Sequence, residues 1–155
     1  MTLGWKTFTA SSMKKISDYK NLFECERMAR GSSRTVFSLV HHPDLVMKVC
    51  EAGDWSNVRE WEIWDRMRWC AFVADWLAPC EAISDDGTIL IQARTRPIMN
   101  ADSYPLRVPS WATDLKYSNM GMLKGKPVFH DYASNLMLEV GATRRMKKAK
   151  WENRA

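Results

Sequence analysis

The sequence predicts an α+β domain: a five-stranded antiparallel sheet with one long helix and a severely abbreviated C-terminal part. Three β-rich runs follow one another with tight connections between residues 24 and 50, which is the pattern of a meander and not of a βαβ unit. A helical segment carrying four tryptophans comes next. Two further short runs flank Ser84-Asp85-Asp86-Gly87, whose Asp-Gly matches the twist of a tight hairpin.

Each element has its own signal. Residues 1–12 are rich in Ser, Thr and Gly and predict a loosely structured start. Met13, Ile16, Tyr19, Leu22 and Phe23 fall at helical spacing, so a short amphipathic helix is expected over 13–23. Residues 24–30 read as a strand entering Gly31-Ser32-Ser33-Arg34, and the β-branched and aromatic run 35–40 as the second strand. His41-His42-Pro43-Asp44 predicts a turn, because proline fixes its own φ and restricts the residue before it. Residues 45–50 form the third strand. Gly53 and Asp54 open the helix, expected to reach about Val73, with its tryptophans serving core or interface packing. The strands of the following hairpin are 79–83 and 88–93. Residues 99–109 read as a linker with short turns, and 110–113 as a helical turn. Residues 120–130 predict two short apolar strands around a Gly-Lys-Pro turn, a hairpin that returns Asp131 to the side of Asn119.

Composition narrows the class. A chain of 155 residues, 46% apolar and 26% charged, predicts one globular domain, 1–155. No apolar run approaches membrane-spanning length and the first residues lack a signal-peptide core, so a cytoplasmic protein without a membrane partner is expected. Cys25, Cys50, Cys70 and Cys80 are widely spaced without a Cys-x-x-Cys pair, which favours buried free thiols over a zinc site or disulfides. The net charge of +5 is concentrated in the tail, where Arg144, Arg145, Lys147, Lys148, Lys150 and Arg154 face Glu152 alone. Such a tail binds nucleic acid or an acidic protein surface, or is a solvated or frayed helical end.

Chemistry concentrates in Asp114-Leu115-Lys116-Tyr117-Ser118-Asn119, followed by Asp131. An acid, a lysine two residues on and an amide three beyond can meet in one loop. Phosphoryl transfer needs such a set: a carboxylate facing the acceptor hydroxyl, a cation on the transferring phosphate, and an amide with a carboxylate to hold Mg²⁺. Upstream, Lys48 interrupts the apolar run Leu45-Val46-Met47-Lys48-Val49. A lysine there requires an anion, an edge position or a solvent-facing place in the period-two alternation.

The spacing Asp-x-Lys-x-x-Asn…Asp resembles the catalytic and metal-binding loops of the protein kinase family, and the order of three strands, helix and two strands resembles its small, nucleotide-holding lobe. The resemblance covers residues 24–133. Residues 24–98 correspond to the small lobe, 99–133 to the catalytic-loop region, and 134–155 remain as the basic C-terminal tail. Gly31-Ser32-Ser33-Arg34-Thr35-Val36 resembles a reduced glycine-rich loop, with Ala29 and Arg34 where outer glycines stand. The resemblance implies that Gly31, Ser32 and Ser33 approach the phosphates, and that Lys48 holds the α- and β-phosphates of ATP. It also implies that a helix glutamate fixes Lys48. Glu60 and Glu62 both qualify; Glu62 is preferred because Arg59 flanks Glu60. Residues 94–98 take the place of the hinge.

By the same resemblance Asp114 and Lys116 are catalytic, and Asn119 and Asp131 are the Mg²⁺ ligands. The chain departs from the family at three places: Ala112-Thr113 replace the His-Arg before the catalytic aspartate, Asp131-Tyr132-Ala133 replaces Asp-Phe-Gly, and no peptide-docking lobe follows. The nearest likeness is to short kinase-like proteins encoded by tailed bacteriophages. A pseudokinase that binds and inhibits a host protein is therefore the first expectation. The alternative is a minimal ATP- and Mg²⁺-dependent Ser/Thr kinase. A small α+β domain without a nucleotide site is the third.

Overall fold

The computed structural model describes residues 14–152; the readings made for residues 1–13 and for Arg154 lie outside them. The strands β1 (Cys25–Arg30), β2 (Arg34–Leu39), β3 (His42–Cys50), β4 (Cys80–Ile83) and β5 (Ile89–Ala93) form one antiparallel sheet in the order β1-β2-β3-β5-β4. The helix α1 (Ser56–Met67) packs on it, so the α+β class and the five-stranded sheet are as expected. Two small two-stranded sheets complete the molecule: β6 (Arg107–Pro109) with β9 (Met146–Lys148), and β7 (Met120–Leu123) with β8 (Lys126–Phe129).

Strand alternation sorts the sheet's two faces. Leu39, Met47, Ala82 and Ile91 pack with Tyr19 and Leu22 on the face away from α1. Cys80 and Leu90 pack on the other with Ile63 of α1, and that cluster continues through Val73 and Leu77 to Trp111, Phe129, Tyr132 and Met137. Lys48 lies opposite Leu90 in the β3–β5 ladder, on the α1 side, and is only 3% exposed. The solvent-facing alternative for Lys48 is thereby removed.

Several local expectations are corrected. The predicted helix over 13–23 is, among the described residues, one 3-10 turn at Ile16–Asp18. Asn21 adopts φ 60° and Tyr19 extended backbone, a break that sends Tyr19 and Leu22 onto the sheet and lets the Tyr19 hydroxyl donate to Glu81. The turn expected at His41-His42-Pro43-Asp44 sits at Val40 and His41. Pro43 belongs to β3, where the register jumps between Ser38 and Leu39 and no ladder N–H is required of it. The long helix stops at Met67, and Cys70, extended at ψ 94°, starts α2 (Ala71–Ala74), which turns Val73 into the core.

The linker over 99–109 contains a strand, β6. Over its described residues the basic tail is no frayed helix: β9 pairs with β6, and Trp151 inserts among Tyr104, Tyr117 and Phe129 while its Nε1 donates to Pro105 O at 2.9 Å. The β7–β8 hairpin turns at Lys124-Gly125, φ 50° and 79°, one position earlier than the Gly-Lys-Pro reading. Both positive φ values belong to the turn that matches strand twist, and Gly125 takes the second at no steric cost.

Candidate functional site

α1 presents Asn57, Glu60 and Ile63, three residues apart, to the sheet, and all three are fully buried. Glu60 is the hub. Its Oε1 accepts from Lys48 Nζ at 2.5 Å and from Gln92 Nε2 at 3.1 Å, while Oε2 accepts from Arg34 Nη2 and from the Tyr132 backbone N–H, both at 3.0 Å. Burial alone would push the Glu60 carboxyl up, but Lys48 and then Arg34 outweigh it and bring the group down to about 2. Glu62, the expected partner of Lys48, instead meets Arg66 one turn along the outer face of α1, at 2.9 Å and half-exposed. A helix that buries Ile63 must turn position 60 inward and position 62 outward, and that periodicity outweighs the flanking Arg59.

Lys48 also donates to the backbone carbonyl of His130, which ties β3 to the segment after the β7–β8 hairpin. The hairpin returns Asp131 beside Asn119, as the sequence implies: the backbone N–H groups of His130 and Asp131 both donate to Asn119 O, at 3.0 and 3.3 Å. Asn119 Nδ2 donates to Asp114 O at 2.9 Å and to Asp114 Oδ2 at 3.0 Å, and Lys116 Nζ lies 3.1 Å from Asp114 Oδ1. The loop is thus closed on itself by its own acid, amide and cation. Its far side is held by the tail, since the Glu152 N–H donates to Leu115 O at 2.7 Å. His130 joins the two halves, its ring nitrogens meeting Thr95 Oγ1 at 2.7 Å and Ser118 O at 2.8 Å. Burial, and then the Lys48 ammonium, hold that imidazole below its ordinary range.

These groups surround a cleft with two chemically distinct halves. An apolar cavity of about 410 Å³ is lined by Met28, Val36, Val46, Ala93, Ile98 and Met120, among others. Beside it lies a polar cavity of about 340 Å³ that contains Gly31, Ser32, Ser33, Lys48, Asp114, Lys116, Asn119 and Asp131. Every expected site residue except Glu62 therefore meets at one place. Ala29, Val36, Lys48, Ser118 and His130 border both halves, so Lys48 stands where they join.

An apolar slot continuous with a cationic one fits a nucleoside phosphate: a base in the first, phosphates in the second. The amide of Gln92 lies behind the apolar half, fully buried, with its Nε2 donating to Glu60 and its Oε1 without a donor among the described residues. Magnesium fits less well. Asp131 and Asn119 are hard oxygen donors of the right kind, yet Asp131 Oδ1 already accepts from Arg34 Nη2 at 2.8 Å. That guanidinium already supplies a cation to one of the two carboxylate oxygens that Asp131 would offer a metal. Among the described residues no group of three His, Cys, Asp or Glu side chains converges, at this cleft or elsewhere.

Gln92, His130 and the inward turn of Arg34 escaped the sequence reading, and Glu60, weighed beside Glu62 as the partner of Lys48, was passed over for it. Arg34 was legible only as a lost glycine; that its side chain turns inward depends on Asn57 and Glu60, more than twenty residues away. Neither a protein-family model nor a curated protein sequence matches this chain.

Proposed function

We propose that this chain is a protein kinase-like nucleotide-binding protein, a pseudokinase that holds ATP in the two-part cleft and acts by binding a partner protein. The observation that carries the reading is Lys48: a buried lysine, fixed by Glu60 of the helix, at the junction of an apolar and a polar cavity. A lysine in that position, 3% exposed, gains its second anion from a ligand phosphate and not from solvent. The base would lie against Val36, Ala93 and Met120, and the phosphates would run past Ser32 and Ser33 toward Lys116. The partner part of the reading is supported by Trp55 and Trp69, 72% and 65% exposed at the two ends of α1, since exposed tryptophans are the usual anchors of interfaces.

Transfer of the γ-phosphoryl group to a serine or threonine hydroxyl is a second reading. It is favoured by the Asp114 carboxylate, which borders the polar cavity with both oxygens oriented by Lys116 and Asn119. The melting temperature measured with and without ATP tests the first reading. Saturation at a hundred times Kd stabilises by about 2.7 kcal/mol, and Lys48→Met should abolish the shift. An equal shift in wild type and Lys48→Met would refute the assignment. Incorporation of labelled phosphate into a serine-rich protein, lost in Asp114→Asn, would establish the second reading.

A further inference from the structure

We propose that Arg34 does the work of the bivalent cation at Asp131, so that this cleft binds a nucleoside triphosphate about equally well with and without Mg²⁺. This rests on the nucleotide reading of the cleft and specifies its chemistry. A carboxylate facing a triphosphate repels it, and the usual remedy is a metal ion shared between the two. Here the remedy is built into the chain. Arg34 Nη2 lies 2.8 Å from Asp131 Oδ1, a charge-assisted hydrogen bond that cancels the carboxylate before any ligand arrives.

The guanidinium is also fixed from behind. Glu60 Oε2 at 3.0 Å and Asn57 Oδ1 at 3.2 Å hold its other donors, and its side chain is only 6% exposed. It cannot swing away to free Asp131 without leaving Glu60 and Asn57 short of a donor inside the protein. Four basic side chains, Arg30, Arg34, Lys48 and Lys116, border the polar cavity, against Asp114 and Asp131 beside them and the buried Glu60 that Lys48 and Arg34 share, which leaves the charge of Arg30 in surplus. Asp114 is itself paired with Lys116. The cavity therefore offers an unmetallated triphosphate a net positive wall.

Isothermal titration with ATP in EDTA, and again in Mg²⁺, tests this on the intact wild-type chain. The expected result is a Kd in EDTA within about threefold of that in Mg²⁺. A Kd at least about tenfold weaker in EDTA overturns the inference and leaves the nucleotide reading standing. No heat in either buffer overturns both. Arg34→Gln supplies the second arm: with Asp131 uncovered, affinity in EDTA should fall about tenfold, the low end for a lost hydrogen bond to a charged group, and Mg²⁺ should restore it. An Arg34→Gln protein that melts cooperatively and keeps wild-type affinity in EDTA also overturns the inference. Should that variant not fold, the wild-type comparison decides.

Discussion

The four donors that converge on Glu60 make it the residue whose loss matters most. Glu60→Gln leaves Lys48 and Arg34 buried without their shared counter-charge, and breaking a buried pair in this way costs about 3–5 kcal/mol. Glu62→Gln removes only an exposed one-turn pair and should change stability by less than about 0.5 kcal/mol. Urea denaturation of the two variants side by side checks the contrast. Protonation acts on the same carboxyl. Its pKa is depressed from 4.5 to about 2, so its contribution is complete above the unfolded value and disappears as pH falls from about 4.5 toward 2. Melting temperatures across that window should drop in the wild type, and Glu60→Gln should flatten the drop. That Lys48, Asp114, Lys116, Asn119 and Asp131 border one cleft was legible in the sequence, from a lysine set in an apolar run and from a hairpin that returns Asp131 to Asn119. Glu60 was legible in principle from its register with Ile63. The inward turn of Arg34 was not, because nothing local distinguishes a solvated arginine from one whose partners come from α1.

At the scale of elements, the strands of the large sheet announced themselves through β-branched, aromatic and apolar runs and the β4–β5 turn through Asp-Gly; they stand within a residue of expectation except β3, which begins at His42, inside the turn predicted before it. The failures share a cause: each element was decided by something distant in sequence. β6 and β9 are three residues each and exist only because they find each other across the chain. The helix over 13–23 lost to the burial of Tyr19 and Leu22 on the sheet. The β7–β8 hairpin offers a test of how closely elements are fitted around the cleft. A methyl group on Gly121 would come within 2.4 Å of Thr95 Oγ1 and 2.9 Å of Arg96 O, the strip that pairs with Met122. Gly121→Ala should therefore push the hairpin off residues 95–96, cost about 1–3 kcal/mol by overpacking and, on the proposed nucleotide reading, weaken ATP binding. A calorimetric melt and an ATP titration of the same variant would show both effects, or neither.

Across the whole molecule, the chain closes on itself through its basic end. β9 completes the sheet with β6, Trp151 fills the aromatic cluster, and Glu152 hydrogen-bonds the loop that carries Asp114. Trimming the chain before Arg144 should accordingly lower the melting temperature and, on the proposed nucleotide reading, abolish the shift expected with ATP. A disposable appendage would leave both unchanged. The positive charge of Lys147, Lys148 and Lys150 is thus displayed on a folded ribbon, a geometry that composition alone could not reveal.

The stack of Trp151 on Tyr117, centroids 5.8 Å apart and planes 18° from parallel, has an optical consequence. Tyr117 borders the apolar half of the cleft, so whatever fills that space presses on one member of a fixed, asymmetric chromophore pair. Near-ultraviolet circular dichroism reports such fixed aromatic packing. The molecule carries its own gauge of occupancy, readable without label or antibody, and silenced by Trp151→Leu.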